Sequence, residues 1–125
     1  MLAADTGVSD IAAAVRSGKV SAVETARAAL ARIAATDSRL NCFTAITAKR
    51  TLAEAAAVDA ARAAGRDPGA LAGVPYAVKN LFDVTGLPTL AGSKINAAPW
   101  REDLCLRVAA ALEAAGVAKA PVAAL

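Results

Sequence analysis

The feature that most limits how this chain can fold is a lysine set inside an apolar run. Residues 71–84 read LAGVPYAVKNLFDV, and a Gly- and Pro-punctuated loop follows to Ser93. Val74, Tyr76 and Val78 precede Lys79, and Leu81, Phe82 and Val84 come after it. That mix of β-branched and aromatic residues predicts a short strand buried on both faces. A lysine is costly there, because its ammonium gives up water only when it is paired or loses its proton. Either Lys79 reaches out at the strand end, or its amine is held inside for chemistry.

The remaining pattern surrounds that run with helices. Ser9 is placed to cap a helix over residues 10–16, closed by Gly18. Ser21-Ala-Val-Glu24 is a capping box, and Val23, Ala26, Leu30 and Ile33 follow on one helical face. Thr36-Asp37-Ser38 predicts the end of that helix. Residues 40–47, LNCFTAIT, have the content of a strand or extended segment. Thr51-Leu-Ala-Glu54 repeats the box and opens a third helix to about Ala64, with Gly65 just past its end. Asp67-Pro68-Gly69 predicts a turn. After the central run, residues 99–103 lead into a helix with Leu104, Val108, Ala111, Leu112 and Ala115 on one stripe, ended by Gly116. Helices, strand, helix, strand, helix is the opening of an α/β layered domain with a parallel sheet. Such a sheet needs several strands and cover on both faces, and this chain supplies two or three.

Composition bears on how well that core holds. Of the apolar residues, 37 are Ala, and only four Ile, two Phe, one Trp and one Tyr accompany the Val and Leu. At about 25 cal/mol per Å² of buried apolar area, an Ala-rich core is marginal on its own. The net charge is +3 with the basic residues scattered, and aromatics make up 3%. Nucleic-acid surfaces need clustered cations and stacking rings, so that partner class is not expected. Cys42 and Cys105 lie far apart and the chain has no His. No metal or disulfide framework is expected, and both cysteines read as small buried hydrophobes. With no leader-like N-terminus and no uncharged apolar run of about 18 residues, the expectation is a cytoplasmic protein without membrane contact.

Several segments together resemble the N-terminal part of amidase signature enzymes. Leu71-Ala-Gly-Val-Pro-Tyr-Ala-Val-Lys79-Asn-Leu-Phe-Asp-Val84 leads, followed by Gly86-Leu-Pro-Thr89 and Ala91-Gly92-Ser93. Ser17-Gly18-Lys19-Val20-Ser21-Ala22-Val23-Glu24, the LN-x-F segment at 40–43 and the Gly65–Gly69 turn fall in the family's order. The resemblance covers about residues 9–116. Asn80 stands where many members carry Asp. Residues 80–83 and 88–96 are similar to the carboxybiuret hydrolase branch, with the glutamyl-tRNA amidotransferase A-chain branch its near neighbour.

The resemblance implies an amidase fold: N-terminal helices plus the first strands of a mixed, largely parallel sheet, here incomplete. It implies hydrolysis of a C–N amide bond by a Ser-cisSer-Lys triad that needs no cofactor. Lys79 would be the general base, drawing a proton from a bridging serine that activates a nucleophilic serine. An acyl-enzyme would form and ammonia or an amine leave, with backbone N–H groups holding the oxyanion. A base must be neutral, so burial beside Val78, Leu81 and Phe82 would have to lower the lysine pKa from about 10.4. The complete relative would take a small amide substrate and could form a homo-oligomer or carry a small partner subunit.

Both serines of that triad belong to a Gly-Gly-Ser-Ser-Gly-Gly-Ser-like segment, and these 125 residues contain none. Ser93 matches the family's Ala-Gly-Ser loop and is not the nucleophile. Residues 117–125, VAKAPVAAL, depart from the family pattern, as a truncation or a shifted reading frame near Gly116 would produce. The expectation is one partial amidase signature domain, inactive alone. The alternative is a non-catalytic fragment or interaction module built on its amphipathic helices. Asp83 is expected at a turn or cap, and Gly73 and Pro75 to set backbone geometry.

Overall fold

A computed structural model describes residues 5–93 and residue 95 of the chain. The chain divides into two compact units, Met1–Ala77 and Val78–Leu125. The first unit holds three helices: α1 (Val8–Arg16), α2 (Ala22–Leu40) and α3 (Ala48–Ala63). No strand is present among the described residues. The helix expected between Asp103 and Gly116, and Cys105 with it, lie outside the described residues.

α1 starts two residues before the expected point. Gly7 is the cap, and its carbonyl accepts from Asp10 N at 3.1 Å and Ile11 N at 3.0 Å, so Ser9 lies within the first turn. The end is as expected. Gly18 takes φ 77°, its N–H donates to Val15 O and Lys19 N donates to Ala14 O, which closes a Schellman motif. α3 ends the same way at Gly65, with Gly65 N on Arg62 O and Arg66 N on Ala61 O.

α2 shows the capping box in full. Glu24 N donates to Ser21 Oγ at 3.0 Å, and Ser21 N donates to Glu24 Oε2 at 2.8 Å. These bonds hold the Glu24 carboxyl below its ordinary range, the Ser21 backbone N–H contributing most and its hydroxyl next. The helix does not stop at 36–38. Thr36 Oγ1 donates back to Arg32 O at 2.8 Å, and Asp37 Oδ1 accepts Cys42 N at 2.7 Å and Phe43 N at 3.3 Å. The side chains that would have served a turn instead serve the helix and its exit. α2 ends at Asn41, which takes the left-handed conformation at φ 50°.

The second box does not form. α3 begins at Ala48, before Thr51, and the Glu54 carboxylate pairs with Arg50 Nε at 2.7 Å, one turn away. Of residues 40–47, expected as a strand or extended segment, Leu40 closes α2 and 41–47 form a connection with no strand. Cys42, expected to be buried, is exposed there.

The core of this unit is small. Ala14, Val15, Val20, Ala22, Ala26, Ala55 and Ala72 are buried together, with Val23, Leu52 and Val58 packed against them. Only Val15, at 0% exposure, is a large side chain fully removed from solvent among the described residues. Ala at so many contacts lets the backbones approach closely, but each methyl buries little area.

Two long-range links tie the unit together. The α2 start leaves four N–H groups without helical partners. The box satisfies those of Ser21 and Glu24. Asp59, on α3, satisfies the others: Ala22 N donates to Oδ1 at 2.8 Å and Val23 N to Oδ2 at 3.1 Å. Farther along, Thr25 Oγ1 donates to Gly73 O at 2.6 Å. Gly73 takes φ 69°, and a Cβ there would stand 2.6 Å from Val15 Cγ2 and 3.2 Å from Ala22 Cα. Only glycine lets the chain pass so close to the α1–α2 corner.

Candidate functional site

The Lys79 segment has no regular secondary structure over residues 74–79 and pairs with no strand among the described residues. A buried parallel strand exists only where neighbours take up its backbone groups on each edge. Among the described residues none does, and the side chains of the run face solvent. Tyr76 is 65% exposed, Val78 43%, Leu81 46% and Phe82 61%, and Lys79 is exposed as well. The expected burial of the lysine between two apolar faces is therefore not seen in this chain. Of the two arrangements open to it, Lys79 takes the solvated one.

What the chain does build around Lys79 is a closed loop. The Lys79 carbonyl accepts Leu81 N at 2.8 Å and Phe82 N at 3.2 Å, turning the chain immediately after the lysine. Asn80 then meets the returning arm of the loop twice. Its backbone carbonyl accepts Ala91 N at 2.8 Å, and its side-chain Oδ1 accepts Leu90 N at 3.0 Å. Inside this closure Thr89 Oγ1 donates to Asp83 Oδ1 at 2.7 Å, and Thr89 is buried. The tip turns at Val84–Leu87, with Leu87 N on Val84 O at 3.0 Å and Gly86 at φ 80°. Asp83 thus braces a turn, as its position implied.

Ser93 also takes a loop role. Its N–H donates to Leu90 O at 2.8 Å, and its hydroxyl accepts from Ile95 N at 3.2 Å. Nothing described pairs Ser93 with an acid or base. Among the described residues no three His, Cys, Asp or Glu side chains converge as a metal site would require. No helix of the described residues is long and apolar enough to cross a membrane.

The sequence offered little sign of two residues that matter here. Asp59 is one acid on a helix of mixed polarity, and only the fold shows that it faces the α2 start. Asn80 stood out as a departure from Asp, but its bond to Leu90 joins residues ten apart in an irregular loop. A helical or strand period cannot report such a pairing.

Comparison with known proteins agrees with the motif. The family described as Amidase matches residues 24–119. The chain is 50% identical over 99 residues to AtzE of Pseudomonas sp. (strain ADP), which is one subunit of 1-carboxybiuret hydrolase; the match covers 78% of this chain and 22% of that protein. It is 48% identical over 86 residues to the A chain of the glutamyl-tRNA(Gln) amidotransferase of Thermobifida fusca (strain YX), covering 69% of this chain and 17% of that one. Two solved structures are similar, both described as a vestigial protein complex bearing on the evolutionary origins of an s-triazine catabolic enzyme. One superposes with a TM-score of 0.75 at 47% identity, over 85% of this chain and 24% of the other. The other, an inhibitor-bound complex, gives 0.74 at 49% identity, over 77% and 21%. The chain thus spans about a fifth of the length of the curated relatives it matches. With the Amidase match over residues 24–119 and this identity to its members, the chain belongs to the amidase family.

Proposed function

We propose that this chain corresponds to the N-terminal part of an amidase that hydrolyses a C–N bond through a Ser-cisSer-Lys triad, with Lys79 as its base. The observation that carries this is the run from Leu71 to Ser93, whose Lys79 stands at the motif's lysine position. In a complete enzyme, further chain would cover Val78, Leu81 and Phe82, add the remaining strands of a largely parallel sheet and bring the two serines to the lysine. Covering those side chains would strip water from the amine and favour its neutral form. The substrate class is a small linear amide, in line with the 1-carboxybiuret named for one relative. A partner subunit for the complete enzyme is in keeping with the complexes named for the similar structures.

On its own the 125-residue chain holds the base without either serine, and we propose that it is inactive. Members of a triad act as a unit, so a lone lysine provides no part of the acceleration. Two measurements test this reading. The purified chain should show no amide turnover above the uncatalysed rate. Residues 24–116 grafted in place of the matching stretch of the Pseudomonas relative should support hydrolysis and labelling by a fluorophosphonate. Lys79→Ala in that graft should lower kcat by about a thousandfold or more. Unchanged turnover in the variant would remove Lys79 from the mechanism. Turnover with a tRNA-linked glutamyl substrate and none with a biuret would move the assignment to the amidotransferase branch.

A further inference from the structure

We propose that Asn80 is a positioning residue: by pinning the return of the 80–91 loop, it fixes the backbone from which Lys79 projects. This rests on the reading of Lys79 as the base.

A lysine carries four methylenes and correspondingly large rotamer entropy, so its amine is placed only as well as its root is held. Here the root is held from the C-terminal side. The Lys79 carbonyl is engaged by two N–H groups, of Leu81 and Phe82. The next residue is clamped at two points on adjacent residues, its carbonyl on Ala91 N and its Oδ1 on Leu90 N. The peptide plane between Lys79 and Asn80 is therefore bonded at its oxygen and followed at once by a doubly anchored residue. The Asp83–Thr89 bond holds the same loop one step farther in, with Thr89 itself buried. All these partners lie within residues 79–91.

The side chain at 80 must present an oxygen acceptor. Asn and Asp both do, Ala does not. Asn does so without adding an anion next to an amine that must lose its proton, since a neighbouring carboxylate would favour the ammonium.

The test uses the 125-residue chain first. Amide exchange at Leu90 and Ala91 should quicken about five- to tenfold in Asn80→Ala, the effect of one net hydrogen bond of about 1 kcal/mol. It should stay at the parent rate in Asn80→Asp. The Ala22 and Val23 amides, held by Asp59, report in the same spectra whether the helices remain folded. The graft described above provides the second readout. There Asn80→Ala should lower kcat at least tenfold with KM unchanged, and Asn80→Asp should recover kcat while moving the acid limb of the kcat/KM profile to higher pH. Unchanged exchange at Leu90 in Asn80→Ala, or equal kcat values for the Ala and Asp variants, would overturn the proposal. Failure of the base assignment appears separately, as full activity in Lys79→Ala with the loop intact.

Discussion

Asp59→Ala is the sharpest test of how the helices are held. The carboxylate takes the N–H groups of Ala22 and Val23 at 2.8 and 3.1 Å in a half-buried setting. Hydrogen bonds to a charged group contribute about 1.5–3 kcal/mol each. The negative charge near the positive end of α2 adds about 0.3–1 kcal/mol. The two bonds share one acceptor group and do not add fully, and Ala recovers about 0.6 kcal/mol in helix propensity on α3. The net loss should be about 2–4 kcal/mol, a large part of the stability of a core built mostly from alanine. Asp59→Asn keeps one oxygen acceptor and turns a donor toward the second N–H, so it should lose about half as much. Urea titration followed by far-UV circular dichroism reads the change. With a slope of about 1 kcal/mol/M for so small a unit, the midpoint should fall by about 2–4 M in Asp59→Ala. Amide exchange at Ala22 and Val23 should accelerate more than at Glu24, whose N–H rests on Ser21. A midpoint within about 0.5 M of the parent, with Ala22 and Val23 as protected as before, would show that the carboxylate is not the cap its geometry describes.

Three further predictions follow from the same unit. Gly73→Ala should destabilise by about 2–4 kcal/mol, from the left-handed φ and from the clash with buried Val15. In a double-mutant cycle by urea titration, adding Val15→Ala should relieve part of that cost, and strict additivity would refute the contact. The Glu24 carboxyl is held below its unfolded range, so its contribution is complete above that range and is lost as pH falls through the lower folded value. Protection of the Ser21 and Glu24 amides, taken relative to the intrinsic exchange rate at each pH, should therefore fall on acidification below about pH 4.3, the free Glu value; in Glu24→Gln this acid-dependent step should vanish, and its persistence would assign it elsewhere. Exposed Cys42 should react with a maleimide in native buffer at nearly the rate seen in urea, whereas a native reaction slower by about a hundredfold would place it in the core after all.

Local chemistry explains which parts of the fold were legible in the sequence. Ser21 and Glu24 formed their box because both partners lie within one turn and no third group competes. Thr51 and Glu54 have the same spacing and did not, because Arg50 offers Glu54 a charged partner on an already started helix. Gly18 and Gly65 end helices as their missing side chains allow. Thr36, Asp37 and Ser38 misled, since each side chain can serve a helix as readily as a turn. The central run was the hardest to place. Its composition suits a strand between neighbours, but a strand is a relation between segments, and residues 74–79 have no such neighbour among the described residues. For the site, the motif marked Lys79 while the acceptor at Asn80 stayed hidden, because its partner Leu90 follows no periodic spacing.

The Asp59 contact also orders events during synthesis. When α2 leaves the ribosome, the acid that will quiet its leading amides is still 36 residues behind. Until that acid arrives the helix must begin on its own serine and glutamate, with two donors wetted by solvent. A nascent chain stalled before residue 59 would carry a frayed leading turn, a mark that proteases and chaperones can recognise.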